Sequence, residues 1–125
     1  MITAMANLIT ADVEAAAAFY RNHLGYVEIL RVPSESPEHI VLRLGPSVLA
    51  VSSPDTLRES GLDAQPGNTV ELVVFCDDVA AEVERLRTRN VSIRREAFRH
   101  PSGHQRAYVD DPDGRPIALV DAPAH

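Results

Sequence analysis

Tryptophan is absent from this chain, cysteine occurs once, and phenylalanine and tyrosine contribute three residues each among 125. So few aromatics remove the stacking platforms on which single-strand binders lay successive bases. The 12 Lys and Arg against 18 Asp and Glu leave a formal charge of −6, which a phosphate backbone would repel. No nucleic-acid partner is expected. The lone Cys76 cannot close an internal disulfide. No apolar run approaches the roughly 18 residues of a membrane span, and no basic segment precedes the first apolar residues. Neither a membrane anchor nor a secretory signal is read, and a reducing cytoplasm is the expected location.

What the chain does contain is one pattern written twice. Asp12-Val13 opens an alanine-rich helical stretch, and Asp78-Val79 opens another in the second half. Each Asp is placed to cap its helix, because its carboxylate can accept from first-turn amides and sits at the positive end of the helix dipole. Val13, Ala16, Ala17, Tyr20 and Leu24 recur at helical spacing, as do Val79, Val83 and Leu86. Gly25 stops the first helix, and Asn90 holds the equivalent stopping place after a second helix predicted from Val79 to about Arg89. Strand-like runs at 6–10 and 70–76 precede the helices. Runs at 26–32, 39–44 and 48–53 follow the first, and runs at 91–95, 105–110 and 116–121 follow the second. The reading is α+β: two βαβββ modules sharing a core as paired, curved mixed sheets around a cleft, with helices on the convex side. A content of 45% apolar residues suits one domain spanning 1–125, with module one at 1–53, a Pro- and Gly-bearing linker at 54–67 pinned by Leu57 and Leu62, and module two at 68–125.

Asp12-Val13 with Phe19-Tyr20 and Leu24-Gly25, Asp78-Val79 with Leu86, and Asp110-Asp111-Pro112-Asp113-Gly114 followed by Ile117-Ala118-Leu119 stand in an order that resembles the vicinal oxygen chelate superfamily, also called the glyoxalase/bleomycin resistance/dioxygenase superfamily. The resemblance covers nearly the whole chain. It implies four metal positions, one on the first and one on the last strand of each module, filled in the enzymes by His or Glu. Here the first-strand places hold Met5 and Glu71, the final-strand place of module two falls at Ala118, and its counterpart in module one falls within 51–53. A catalytic divalent ion needs about three imidazole, carboxylate or thiolate donors. A thioether and a methyl group do not supply them, so no metal ligands and no cofactor are expected. Asn7-Leu8 before Asp12 and Phe19-Tyr20 looks closest to the metal-free bleomycin-resistance-like branch, for which the resemblance implies drug or metabolite sequestration.

The remaining polar residues suggest a site of another kind. Arg106 and Tyr108 alternate in phase on one strand and therefore share a face, suited to a carboxylate or a planar ring. Glu71, a charge among apolar strand residues, is either a general base or cation anchor, or a solvated or Arg-paired strand-end residue. His100 and His104 flank Pro101-Ser102-Gly103 in a loop and could donate protons, bind a metal or clamp an anion, or simply lie exposed. His23, His39 and His125 read as surface residues, and Cys76 as inert for want of a basic neighbour. No catalytic residue is assigned. The expected ligand-binding set is Met5, Asn7, Val51, Glu71, Val73, Arg106, Tyr108 and Ala118.

Three functional classes follow. The leading one is a metal-independent small-molecule binding protein, for which the acidic chain would suit a cationic guest. The alternative is a lyase, isomerase or dioxygenase using Glu71 and the loop histidines, with or without a rebuilt divalent metal site. The third is an interaction protein with a vestigial cleft. A homodimer is expected, because half-folds of this kind commonly pair and exposed sheet edges otherwise invite aggregation.

Overall fold

Asp12 and Asp78 both do what their positions predict. In the computed structural model, which describes residues 5–58, 72–100 and 103–121, each has an extended backbone and accepts through its carboxylate from the amide three residues on, Ala15 at 3.0 Å and Ala81 at 3.1 Å. The helices they open are α1 (Val13–Leu24) and α3 (Val79–Arg87). Gly25 ends α1 in the left-handed region at φ 83°, and Asn90 takes φ 63° just beyond α3, the two places where a stop was expected.

The chain divides into two compact units, Met1–Gly67 and Asn68–His125. In the first, β1 (Ala6–Ile9), β2 (Val27–Val32), β3 (His39–Leu44) and β4 (Ser47–Ser52) form a four-stranded mixed sheet in the order β1-β4-β3-β2. The pairing of β1 with β4 is parallel and the other two pairings are antiparallel. In the second, β5 (Leu72–Cys76), β6 (Ile93–Arg99), β7 (Gln105–Asp110) and β8 (Pro116–Asp121) repeat that order as β5-β8-β7-β6, with β5 and β8 parallel. The fold is therefore α+β with two βαβββ sheets, as read from the sequence.

Each unit carries its core between one face of its sheet and its helix. Glu28 and Arg31 of β2 reach Arg21 and Glu14 of α1, which marks their face as the helix side. Their cross-strand partners Leu42 and Ile40, and the next partners Leu49 and Val51 of β4, lie on that same side and are buried, against Ala16, Ala17 and Tyr20 of the helix. Phe19, Tyr20 and Tyr26 stack edge to face at 5.3 and 5.7 Å between centroids. In the second unit Ala107, Val109, Ile117 and Leu119 are buried on one face and Val79, Val83 and Leu86 of α3 supply the opposing stripe. Each buried Leu, Ile or Val contributes about 1.5–3 kcal/mol.

Two segments differ from the sequence reading. A short helix, α2 (Pro54–Arg58), opens the linker at 54–67, where the sequence shows no sustained periodicity. Proline is at home in a first helical turn, Ser53 Oγ accepts from the Thr56 amide at 3.4 Å, and Arg58 pairs with Asp55. Leu62 and the Leu57 side chain lie outside the described residues. The strand predicted at 91–95 instead runs as β6 from Ile93 to Arg99. Its register with β7 shifts twice, between Ile93 and Arg95 and between Arg95 and Phe98. β6 is an edge strand, so charged residues and bulges are tolerated along it.

Candidate functional site

The sheet faces away from the helices carry the polar residues that the cores exclude, and each is built from its own strand alternation. In the first unit Asn7 of β1, Val41 and His39 of β3, and Ala50 and Ser52 of β4 share the helix-free face. Met5, just before β1, is 46% exposed and in phase with Asn7. Val51 is a correction to the expected binding set. It is paired with Leu8 and Ile40, fully buried on the α1 side, and Ala50 and Ser52 are the residues of β4 that face the other way.

Ser52 joins a chain that strand reading alone did not find. Its hydroxyl donates to Asn7 Oδ1 at 2.7 Å and lies 2.6 Å from His39 Nδ1. With the Ser52 proton given to Asn7, Nδ1 of His39 carries the donated hydrogen and Nε2 is left as the acceptor. His39, read as a surface residue, thus has an oriented ring on the helix-free face. Its signal in the sequence was period-two alternation with Val41 and Arg43.

In the second unit cross-strand pairing lines up two rows on the face away from α3. One runs Arg95, Tyr108, Ala118, Val73 and the other Phe98, Arg106, Val120, Phe75, each crossing β6, β7, β8 and β5 in turn. Val73, Arg106, Tyr108 and Ala118 therefore share one face. Phe98, Phe75 and Arg95 join them there and were not anticipated. The Arg95 guanidinium carbon sits 3.5 Å over the centre of the Phe98 ring. Phe98 stacks on Tyr108 at 6.5 Å and 22°, and Arg106 Nη1 donates to Tyr108 Oη at 3.2 Å. Val73 and Phe75 are 43% and 58% exposed, unusual for apolar side chains of their size in a strand. Asp110, farther along the same face, is engaged by Arg94 at 2.6 Å and Ser92 at 3.2 Å.

The other expected participants are placed as follows. His100 and His104 close the β6–β7 hairpin through backbone bonds, the His100 amide donating to the His104 carbonyl at 2.8 Å, and the His100 ring lies 6.4 Å from Phe98. Glu71 lies outside the described residues. Cys76 is on the α3 side beside Asp121 and Glu82, where burial foremost, and then the Glu82, Asp121 and Asp77 charges, push its thiol up to about 11. A cavity of about 320 Å³ at the start of α1 is acidic, lined in part by Asp12, Glu14, Glu35 and Glu38. Asp12 serves there as the helix cap, Glu14 pairs with Arg31 and Glu38 accepts from Ser53.

Among the described residues no three His, Cys, Asp or Glu side chains converge. Of the four places that the resemblance marks for an ion, Met5 offers a thioether, Ala118 a methyl and 51–53 no carboxylate or imidazole, while Glu71 lies outside the described residues. No helix among the described residues is long and apolar enough to cross a membrane.

Comparison with known proteins follows this geometry. A family model described as the Glyoxalase/Bleomycin resistance protein/Dioxygenase superfamily matches residues 2–119. Among solved structures, a glyoxalase-related enzyme from Fulvimarina pelagi is 29% identical, with a TM-score of 0.79 over 98% of this chain and 88% of its own. A superfamily member from Nocardioides is 23% identical, with a TM-score of 0.80 over 97% of this chain and 85% of its own. Lactoylglutathione lyase from Agrobacterium tumefaciens is 22% identical, with a TM-score of 0.75 over 97% of this chain and 93% of its own. A comparison with curated proteins found no match. With its duplicated βαβββ units and a family match over nearly its full length, this chain belongs to the glyoxalase/bleomycin resistance/dioxygenase superfamily.

Proposed function

We propose that this protein binds a small molecule without a metal ion and performs no chemistry on it, as in the sequestering branch of its superfamily. The observation that carries the reading is the donor set: Met5 and Ala118 stand at two of the four places where a chelating enzyme needs carboxylate or imidazole, while the helix-free face of each sheet offers groups of another kind, hydroxyl and amide in the first, guanidinium and aromatic in the second. Such groups orient a ligand and leave no Lewis acid to polarise it.

The test pairs two measurements on protein stripped with EDTA. Calorimetric titration with Mn²⁺, Ni²⁺ and Zn²⁺ is expected to show no stoichiometric uptake. A thermal-shift panel of small aromatic compounds is expected to contain stabilising ligands, worth about 2.7 kcal/mol at 100 times the dissociation constant, recovered unchanged afterwards. Stoichiometric ion binding that disappears in Glu71→Ala would establish instead the metal-dependent lyase, isomerase or dioxygenase.

One observation favours a second reading, a metal-free enzyme of the superfamily. His39, held at Nδ1 by Ser52 Oγ at 2.6 Å, which in turn donates to Asn7 Oδ1 at 2.7 Å, presents Nε2 as a proton acceptor. A product formed by EDTA-treated protein, and lost in His39→Asn, would select this reading over simple binding. In either case the working unit is proposed to be a homodimer located in the cytoplasm.

A further inference from the structure

Half of the chain's six aromatic residues lie on one sheet face. Phe19, Tyr20 and Tyr26 pack together in the first unit, while Phe75, Phe98 and Tyr108 all lie on the helix-free face of the second sheet. That face is divided. Its β6–β7 half alternates cation and ring, with Arg95 opposite Tyr108 and Phe98 opposite Arg106. Its β8–β5 half is apolar, with Ala118 and Val120 of β8 buried and the side chains of Val73 and Phe75 on β5 exposed.

We propose that this divided face is a subsite for planar aromatic carboxylates, the acid group against Tyr108 and Arg95 and the ring system over Val73 and Phe75; the proposal rests on the small-molecule reading above and names its ligand class. Three features carry it. The Tyr108 oxygen accepts from Arg106, so its own hydrogen is directed to another acceptor, which an oxyanion supplies. The Arg95 guanidinium is held flat on Phe98, so its planar donor edge is oriented before a ligand arrives. Among the described residues the acidic side chain on this face is Asp110, which is engaged by Arg94 and Ser92, away from Arg95.

Dimensions agree with the assignment. Adjacent strands lie about 4.8 Å apart, so the distance from β7 across β8 to β5 is roughly 10 Å, the scale of a fused two-ring acid. A small aliphatic acid would meet the polar half and leave the apolar half wet. An aromatic amine would place its cation beside two guanidinium groups. Among the described residues this face thus favours an anion, whereas the net charge of the whole chain pointed to a cationic guest.

The experiment is calorimetric titration of the full chain with 2-naphthoate, 2-naphthylmethylammonium and acetate, repeated on Tyr108→Phe, Arg95→Gln and Phe75→Ala. Thermal unfolding without ligand confirms that each variant folds. 2-Naphthoate is expected to bind, the other two are not, and each substitution is expected to weaken 2-naphthoate about tenfold. Binding of the ammonium compound in preference to 2-naphthoate would overturn the ligand class and leave the small-molecule reading standing. Binding of 2-naphthoate unchanged by all three substitutions would overturn the location. Absence of binding in every arm, together with a blank thermal-shift panel, would remove both.

Discussion

At the scale of single residues, the least replaceable polar group is a buried arginine. Arg115 is 1% exposed, and its Nη1 donates to Asp111 Oδ2 at 2.6 Å. The other Asp111 oxygen accepts from the Asp113 and Arg115 amides at 2.9 and 2.8 Å, so one carboxylate organises the whole turn between β7 and β8. Arg115→Ala leaves that carboxylate buried without its cation and is expected to cost about 3–5 kcal/mol in urea unfolding. Cys76 makes the opposite kind of prediction. With its thiol raised from 9.0 to about 11, the reactive thiolate is scarce at pH 8, and labelling by iodoacetamide should run about tenfold slower than an unperturbed thiol, because the greater nucleophilicity of the more basic sulfur offsets part of the loss of thiolate. Raising the pH towards the elevated value increases the thiolate, so the labelling rate should keep climbing above pH 9.

At the scale of elements, the two caps are the same device used twice. Asp12→Ala and Asp78→Ala are each expected to cost about 1 kcal/mol, and the double variant about the sum, because the sites lie in different units. Additivity is read from denaturant midpoints at constant slope. These caps, the positive-φ stops at Gly25 and Asn90, and the strands His39–Leu44, Gln105–Asp110 and Pro116–Asp121 were all legible in the sequence, because local chemistry decides them. The site was legible only in part. Arg106 and Tyr108 alternate plainly on β7, so their shared face could be read. β4 is buried on both faces from Leu49 to Ser52, leaving no alternation to set its phase, and Val51 was assigned to the wrong side. Phe98 and Arg95 escaped notice because Arg94, Arg95 and Glu96 resemble the end of a strand, whereas an edge strand with two register shifts carries them without cost.

At the scale of the whole molecule, the prominent surface feature is the outer strand of the first sheet. Val27, Ile29, Leu30 and Val32 on β2 are each about half exposed, at 56%, 49%, 50% and 49%. In the proposed homodimer, a second copy covering this edge would account for apolar residues where charges are usual. Light scattering coupled to size exclusion is expected to give a dimer at micromolar concentration. Leu30→Lys should shift it towards monomer with little change in helix content by circular dichroism. A wild-type monomer would remove this assembly.

The order of strands has a consequence for synthesis. In each sheet the strand made first lies beside the strand made last, β1 beside β4 and β5 beside β8. A nascent chain emerging from the ribosome therefore holds β1 without a neighbour until Ser52 has cleared the exit tunnel, and β5 waits in the same way for Asp121. Because the late arrivals β4 and β8 are inner strands, a premature stop before either would bisect its sheet instead of trimming its margin, and the fragment would present two unsatisfied edges to the cell's quality control.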